Sequence, residues 1–199
     1  MTTAFALTGL TGAAGEYHIA AQLSQRGWLA TPTIKNSPGT DVLAQHVGTG
    51  ALVAIQAKTT TGSTSWVLGA KDEGISDGDH SWYVFVALAG QTERPVFYVL
   101  PRNHVAALLF VGHRNYIKSP GRGGRERKNG TVRKVFAAEI APYREDWDAL
   151  LAPTSARPYA LPDWFERYVP EIGLPPGHPD AARFGVAWPG REGDRAGDA

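Results

Sequence analysis

The first sixty residues predict one helix followed by three strands, and this order limits the fold more than any other feature of the chain. The helix is predicted over residues 11–26, with Gly27 as the residue that ends it. Strands are predicted over residues 28–35, 41–45 and 52–59, with turn signals at 36–39 and 48–50. This order indicates an antiparallel meander with a helix packed on it.

Four polar residues lie on these elements where a packed helix and sheet would bring them together. Glu16 is the one charged member of an otherwise apolar helical face. Gln56 and Lys58 are two residues apart on the third strand, so they are predicted to point to the same side of the sheet. Asp41 opens the neighbouring strand and is therefore expected near Gln56.

The oxygen atoms of this set suit a hard divalent cation. Mg²⁺ takes oxygen ligands and keeps several waters, so Asp41 and the Gln56 amide oxygen would hold it, with Glu16 binding directly or through water. Such an ion polarises a phosphate oxygen, and Lys58 beside it would orient an attacking water. Each residue alone also has a simpler explanation: Lys58 as a solvated lysine, Asp41 as a turn residue, Glu16 as an ion-pair partner.

The motifs resemble those of the PD-(D/E)xK nuclease superfamily, and more narrowly its small bacterial members with an Ile-Gln-x-Lys third motif. The resemblance is carried by GEY at 15–17, GTDVL at 39–43 and IQAKTT at 55–60. It implies an α/β, restriction-endonuclease-like core and cleavage of DNA with Mg²⁺ or Mn²⁺. It further implies that Asp41 is the central metal ligand, Gln56 the second ligand, Lys58 the catalytic lysine and Glu16 the helix acid.

Two departures from the superfamily pattern bear on activity. Gly39-Thr40 precedes Asp41 where a proline gives the superfamily its name, and Gln56 replaces an acidic ligand. Losing that charge predicts weaker metal binding than a site with three carboxylates. Because the superfamily also includes members without nuclease activity, an inactive nucleic-acid-binding module on the same scaffold remains an alternative.

The rest of the chain predicts more strands and helices around this core. The expected fold is therefore an α/β domain with a mixed central sheet flanked by helices. Residues 60–65 and 71–80 are expected to form polar loops. Further strands are predicted over 65–68, 82–88, 96–100 and 132–136, and helices over 103–110, 143–151 and 163–168.

The basic segment over residues 112–134 is strongly cationic although the net charge of the chain is only +1. It carries a single acid, Glu126, and only one aromatic residue, Tyr116, so it suits phosphate contacts better than base stacking. A solvated loop is the alternative interpretation. The eight basic residues of this segment are Arg114, Lys118, Arg122, Arg125, Arg127, Lys128, Arg133 and Lys134.

Composition divides the chain into a predicted nuclease-like domain over residues 1–152 and an irregular, Pro-rich C-terminal extension over 153–199, whose last ten residues are expected to be mobile. A protein partner docking on this extension is a further alternative. The chain has no cysteine and no apolar run long enough to span a membrane, which agrees with a cytoplasmic protein. The resulting hypothesis is a DNA endonuclease of restriction or phage defence, with a homodimer suited to cutting both strands.

Overall fold

The structure, a computed structural model, describes residues 4–34, 39–90 and 92–185. The three predicted strands lie side by side in a five-stranded mixed sheet, and the predicted helix packs on this sheet. The sheet carries helices on both faces, which confirms the predicted α/β architecture with a mixed central sheet flanked by helices. The strands are β1 Trp28–Pro32, β2 Val42–His46, β3 Leu52–Thr61, β4 Ser65–Gly69, β5 Ser81–Leu88, β6 Val96–Pro101 and β7 Val132–Phe136, and the helices are α1 Ala4–Ser24, α2 Arg102–Lys118 and α3 Asp163–Ile172.

The central sheet has the order β1-β2-β3-β5-β6, and its two halves meet at a parallel pair. The first three strands form the predicted antiparallel meander, with Val42 opposite Ile55. β3 then continues beyond β2 and pairs in parallel with β5 as far as Thr61. Because a parallel pair needs a crossover, the chain between β3 and β5 leaves the sheet and forms β4 and the short 3₁₀ turn Ala70–Glu73, with β4 pairing to β7 in a second small sheet.

The two faces of the central sheet bury different helices. Ile19 and Leu23 of α1 are fully buried against a core that includes Ile55 on one face. On the other face, Tyr83 and Phe85 of β5 share a core with α2 and with the small sheet. The alternation of strand side chains therefore separates the residues under α1 from those under α2.

The C-terminal extension packs on α2. Phe165 and Val169 of α3 are buried against Val111 of α2. At the start of α2, the ring of His104 stacks on Tyr159 with 3.8 Å between ring centroids. The division into domains at residue 152 stays a prediction, while the mobility predicted for 190–199 concerns residues outside the described ranges.

Several predicted boundaries differ from those observed, and the largest difference concerns the helix predicted over 143–151. This segment forms two 3₁₀ turns, Ala141–Tyr143 and Trp147–Leu151, because Glu145 between them has a left-handed φ of 55° that an α-helix does not accommodate. The loop predicted over 71–80 begins inside the turn Ala70–Glu73.

All three α-helices are longer than predicted, and α3, predicted over 163–168, extends to Ile172. α2 continues eight residues past its predicted end at Phe110, since Val111 is buried against α3. α1 begins at Ala4 instead of Thr11. β1 ends at Pro32, and most of the turn predicted at 36–39 lies outside the described residues. Among the described residues, no helix is both long and apolar enough to cross a membrane.

Gly15 marks a close approach between α1 and β3. A Cβ built on Gly15 would overlap the Thr59 hydroxyl, whereas one built on Gly12 would meet nothing within 4 Å. We expect Gly15→Ala to lower the free energy of unfolding by about 1–3 kcal/mol, the range for overpacking a close contact. Gly12→Ala, the matched control, should raise it by up to about 1 kcal/mol through helix propensity. Urea unfolding of both variants measures this, and equal effects would contradict the close approach.

His104 makes the fold sensitive to acid. Burial, together with the smaller effects of the nearby charges of His178, Arg157 and Arg183, lowers the pKa of His104 from 6.5 to about 3. As the pH falls, His104 therefore binds a proton in the unfolded chain before it does so in the folded chain. The stabilisation of the fold by neutral His104 is complete above about pH 6.5 and is lost as the pH falls towards 3. Between pH 6 and 4 this costs up to about 1.4 kcal/mol per pH unit.

We expect His104→Asn to flatten this pH dependence of the unfolding free energy, whatever its effect on stability at pH 7. His18 lies exposed on α1, and His18→Asn should leave the slope as in the unchanged protein. Denaturant unfolding at several pH values measures the slopes. Identical slopes for the His104→Asn variant and the unchanged protein would rule out the buried neutral histidine as their cause.

Candidate functional site

Two hydrogen bonds connect Asp41 to β3 immediately before β2 begins. Its backbone N–H donates to the Ile55 carbonyl at 2.8 Å, and its carboxylate Oδ2 accepts from the Ala57 N–H, also at 2.8 Å. β2 no longer pairs with β3 beyond Ile55, and there the Asp41 side chain accepts the backbone hydrogen bond of β3 instead. A carboxylate has about four lone-pair positions, so Asp41 retains acceptor capacity next to Gln56.

Gln56 and Lys58 lie on the face of the sheet that α2 covers. In the parallel register, Gln56 is the neighbour of Tyr83 and Lys58 the neighbour of Phe85. The Lys58 Nζ lies 6.0 Å from the centre of the Tyr83 ring. Both polar side chains are half-buried, so this end of β3 is accessible from solvent.

A buried carboxylate that was not recognised in the sequence holds Lys58. Asp72 is only 2% exposed, and its Oδ1 lies 3.3 Å from the Lys58 Nζ. The same oxygen accepts from the Tyr83 hydroxyl at 2.7 Å, and Oδ2 accepts from the Gly69 N–H at 2.8 Å. Lys58 is therefore held by a carboxylate that also accepts hydrogen bonds from Tyr83 and Gly69.

The electrostatics of this cluster favour an ionised Asp72. Burial by itself raises the pKa of Asp72, but the hydrogen bonds from Gly69 and Tyr83 and the charge of Lys58 outweigh it, and the net shift is downward. Burial and the neighbouring Asp72 both raise the pKa of Tyr83, which keeps its hydroxyl protonated as a donor. The cluster is thus an ion pair and not a pair of neutral groups.

Sequence reasoning missed Asp72 because residues 71–80 look like a polar loop. The available signal was weak: the run Lys71-Asp72-Glu73 lies between two glycines, which is compatible with a short turn. Nothing in that run indicates that one acid is buried and the other less so. The pairing with Lys58 spans fourteen residues and depends on the crossover between β3 and β5.

Glu16 lies on the helix that covers the other face of the sheet. It follows Gly15, which lies close to Thr59, and α1 packs on the face opposite to Lys58. The Glu16 side chain is half-buried, and its predicted role at the site stays a prediction.

A metal at this site would have few protein ligands. Within the described residues, no three His, Cys, Asp or Glu side chains form a group placed to hold a metal ion. Asp41 and Gln56 nevertheless offer oxygen atoms of the kind that Mg²⁺ prefers, and this ion commonly uses one or two carboxylates and retains water. The predicted ligand roles of Asp41, Gln56 and Glu16 stay predictions.

The basic residues predicted to bind phosphate divide into paired and exposed groups. Arg133 is 7% exposed and pairs with Glu73, and Arg114 contacts the same carboxylate at 3.4 Å. Lys118 pairs with Glu171 at 2.9 Å. The side chains that the described residues leave exposed or half-buried without an ion pair of their own are those of Arg122, Arg125, Arg127, Lys128 and Lys134.

No family model and no curated protein matches this chain. Among solved structures, it is similar to Hjc of Archaeoglobus fulgidus, a Holliday junction resolvase, with 11% identity over 66% of this chain and 88% of that chain and a TM-score of 0.37. It is also similar to a bacterial homing endonuclease, with 18% identity over 72% of this chain and 93% of that chain and a TM-score of 0.41.

Removing Asp72 should destabilise the protein because Lys58 would lose its buried partner. Asp72→Ala is expected to lower the free energy of unfolding by about 3 kcal/mol, as when one member of a buried pair is deleted. Asp77→Ala, in the exposed part of the following loop, should change it by less than about 0.5 kcal/mol. Urea unfolding measures both values.

The double variant Asp72→Ala with Lys58→Met should recover part of the loss, because no unpaired charge then remains. If the two substitutions are additive in unfolding free energy, the ion pair is not the source of the Asp72 effect.

Proposed function

We propose that this chain is a metal-dependent DNA endonuclease of the PD-(D/E)xK type, acting in restriction or phage defence. The observation that carries the proposal is the arrangement along β3: the Asp41 carboxylate is bonded to its backbone beside Gln56, and Lys58 is held two residues further on. An acidic ligand, an amide oxygen and a positioned lysine in this order suit hydrolysis of a phosphodiester.

Each side chain has a distinct part in the proposed reaction. Asp41 and Gln56 hold a divalent ion, with Glu16 acting on its water shell. When bound, Mg²⁺ or Mn²⁺ supplies charge that polarises a phosphate oxygen and lowers the pKa of a bound water. Lys58 orients the attacking water and stabilises the negative charge that develops on the phosphate.

Asp72 is a positioning residue in this proposal. It touches neither the substrate nor the metal, but it fixes the Lys58 Nζ with the help of Tyr83 and Gly69. A lysine side chain has four rotatable bonds, so an unrestrained ammonium group would be in the productive position only part of the time. Holding it beforehand reduces the entropy lost on reaching the transition state.

The proposal further includes a cytoplasmic location and a homodimer that cuts both strands of a duplex. Salt-dependent contacts with the DNA backbone come from the exposed part of the basic segment, chiefly Arg122, Arg125 and Lys128. Arg133, Arg114 and Lys118 contribute less, because each is paired with an acid of the same chain.

Purified protein should cut DNA when Mg²⁺ or Mn²⁺ is added. Asp41→Asn and Lys58→Met should each reduce the cleavage rate at least about 100-fold, since each removes a group that acts on the transition state. Lys71→Met, at an exposed lysine near the site, is the matched control and should cut at the normal rate. Plasmid, linear, branched and single-stranded substrates should all be assayed on gels, and an unchanged protein inert on every one of them contradicts the proposal.

A non-catalytic DNA-binding module is the second candidate. It is favoured by two observations: Gln56 brings no charge to a metal, and Lys58 is engaged with Asp72. This candidate predicts salt-sensitive DNA binding without cleavage, unaffected by Lys58→Met. A docking role for the extension is less favoured, because the apolar face of α3 is already buried against α2 through Phe165 and Val169.

A further inference from the structure

A cleft of about 860 Å³ opens between the second half of α2, β7 and α3. Leu108 and Leu109 contribute to its apolar floor together with Trp164 of α3. Its walls carry two large aromatic residues that are unusually exposed: Phe136 at 46% and Tyr116 at 51%. This surface joins aromatic residues that are far apart in the sequence.

The rim of the cleft is cationic. Lys134 and Phe136 alternate with buried residues on β7, so both lie on the exposed face of that strand, and both line the cleft. Arg127 lies over the Tyr116 ring with its guanidinium carbon 4.0 Å from the ring centre, and Lys128 follows it. The cleft therefore combines flat apolar surfaces with several positive charges.

The lining holds one acid, Glu139, and several cations, so its net charge is positive. Glu139 is half-buried and accepts a hydrogen bond from the Phe136 N–H at 3.0 Å. Burial raises the pKa of Glu139, although its hydrogen bonds oppose the shift. An anionic ligand with a flat ring would satisfy both halves of the lining, because its ring would stack and its charge would meet the rim.

We propose that this cleft binds an unpaired nucleotide of the DNA substrate, with the base against the Phe136 and Tyr116 side of the cleft and the phosphate on Lys134 and Lys128. Bases stack on aromatic rings and on arginine planes, and such stacking tolerates any base. This inference rests on the proposed function for the identity of the substrate. It assigns that substrate to DNA with a single-stranded or distorted stretch.

The cleft and the Lys58 cluster are connected through one turn. Arg133, in the cleft lining, pairs with Glu73, while the adjacent Asp72 pairs with Lys58. Both regions lie on the α2 side of the central sheet.

Binding is tested without cleavage, in buffer containing a chelator, so that an inactive enzyme does not obscure the result. The probes are a fluorescent single-stranded oligothymidylate of about 12 nucleotides and a blunt duplex of the same length. Phe136→Ala should weaken binding of the single strand about ten-fold, the size of one lost stacking contact, and change duplex binding by less than about two-fold. Lys134→Gln should weaken both and reduce the salt dependence of each by about one charge.

The controls are Leu43→Ala, at a similarly exposed apolar residue on β2, and Arg144→Gln, at an exposed cation outside the cleft lining. Neither should alter the preference for the single strand.

Equal losses of affinity for the single strand and the duplex in the Phe136→Ala variant, or no loss, would overturn the proposal, as would failure of the oligonucleotide to bind. Capture of a Glu-rich, Trp-containing peptide in its place, dependent on Phe136, would make the cleft a protein site instead. Cleavage is assayed separately, so loss of the proposed function remains distinguishable from loss of this inference.

Discussion

The parallel pairing of β3 with β5 is the constraint on which the rest of the structure depends. Two parallel neighbours cannot be joined by a hairpin, so the chain must leave the sheet at the end of β3 and return to the end at which β3 began. The crossover carries β4 and the turn Ala70–Glu73 onto the α2 side of the sheet. This detour brings Asp72 beneath Lys58.

The same turn connects the two charged regions of the molecule. Its adjacent acids serve different partners, Asp72 holding Lys58 and Glu73 holding Arg133 with Arg114. Buried ion pairs contribute little net stability because desolvation offsets much of their attraction. Here the ion pairs fix the positions of the cations. Removing either acid would leave a cation without its partner.

Local patterns were sufficient for most elements of the fold. The helix, the meander and β7 follow from apolar periodicity and turn residues, and β7 has the same bounds in the sequence prediction and in the structure. Prediction was wrong where long-range contacts decide conformation. The charged end of α2 stays helical because Val111 and Phe110 pack on α3, and Glu145 interrupts the helix expected after Tyr143 through its left-handed φ.

The sequence by itself determined which residues could form a site: Asp41, Gln56 and Lys58 follow from strand alternation and motif order, because these depend on near neighbours in the chain. Only the tertiary structure decided what surrounds them. It paired Lys58 with Asp72, placed Glu16 on the opposite face, and buried Arg133 among basic residues that look alike in the sequence. It also joined Phe136, Tyr116 and Trp164 in one cleft. The physical reason is that contacts across a crossover depend on how sheets and helices pack, and spacing along the chain carries no record of that packing.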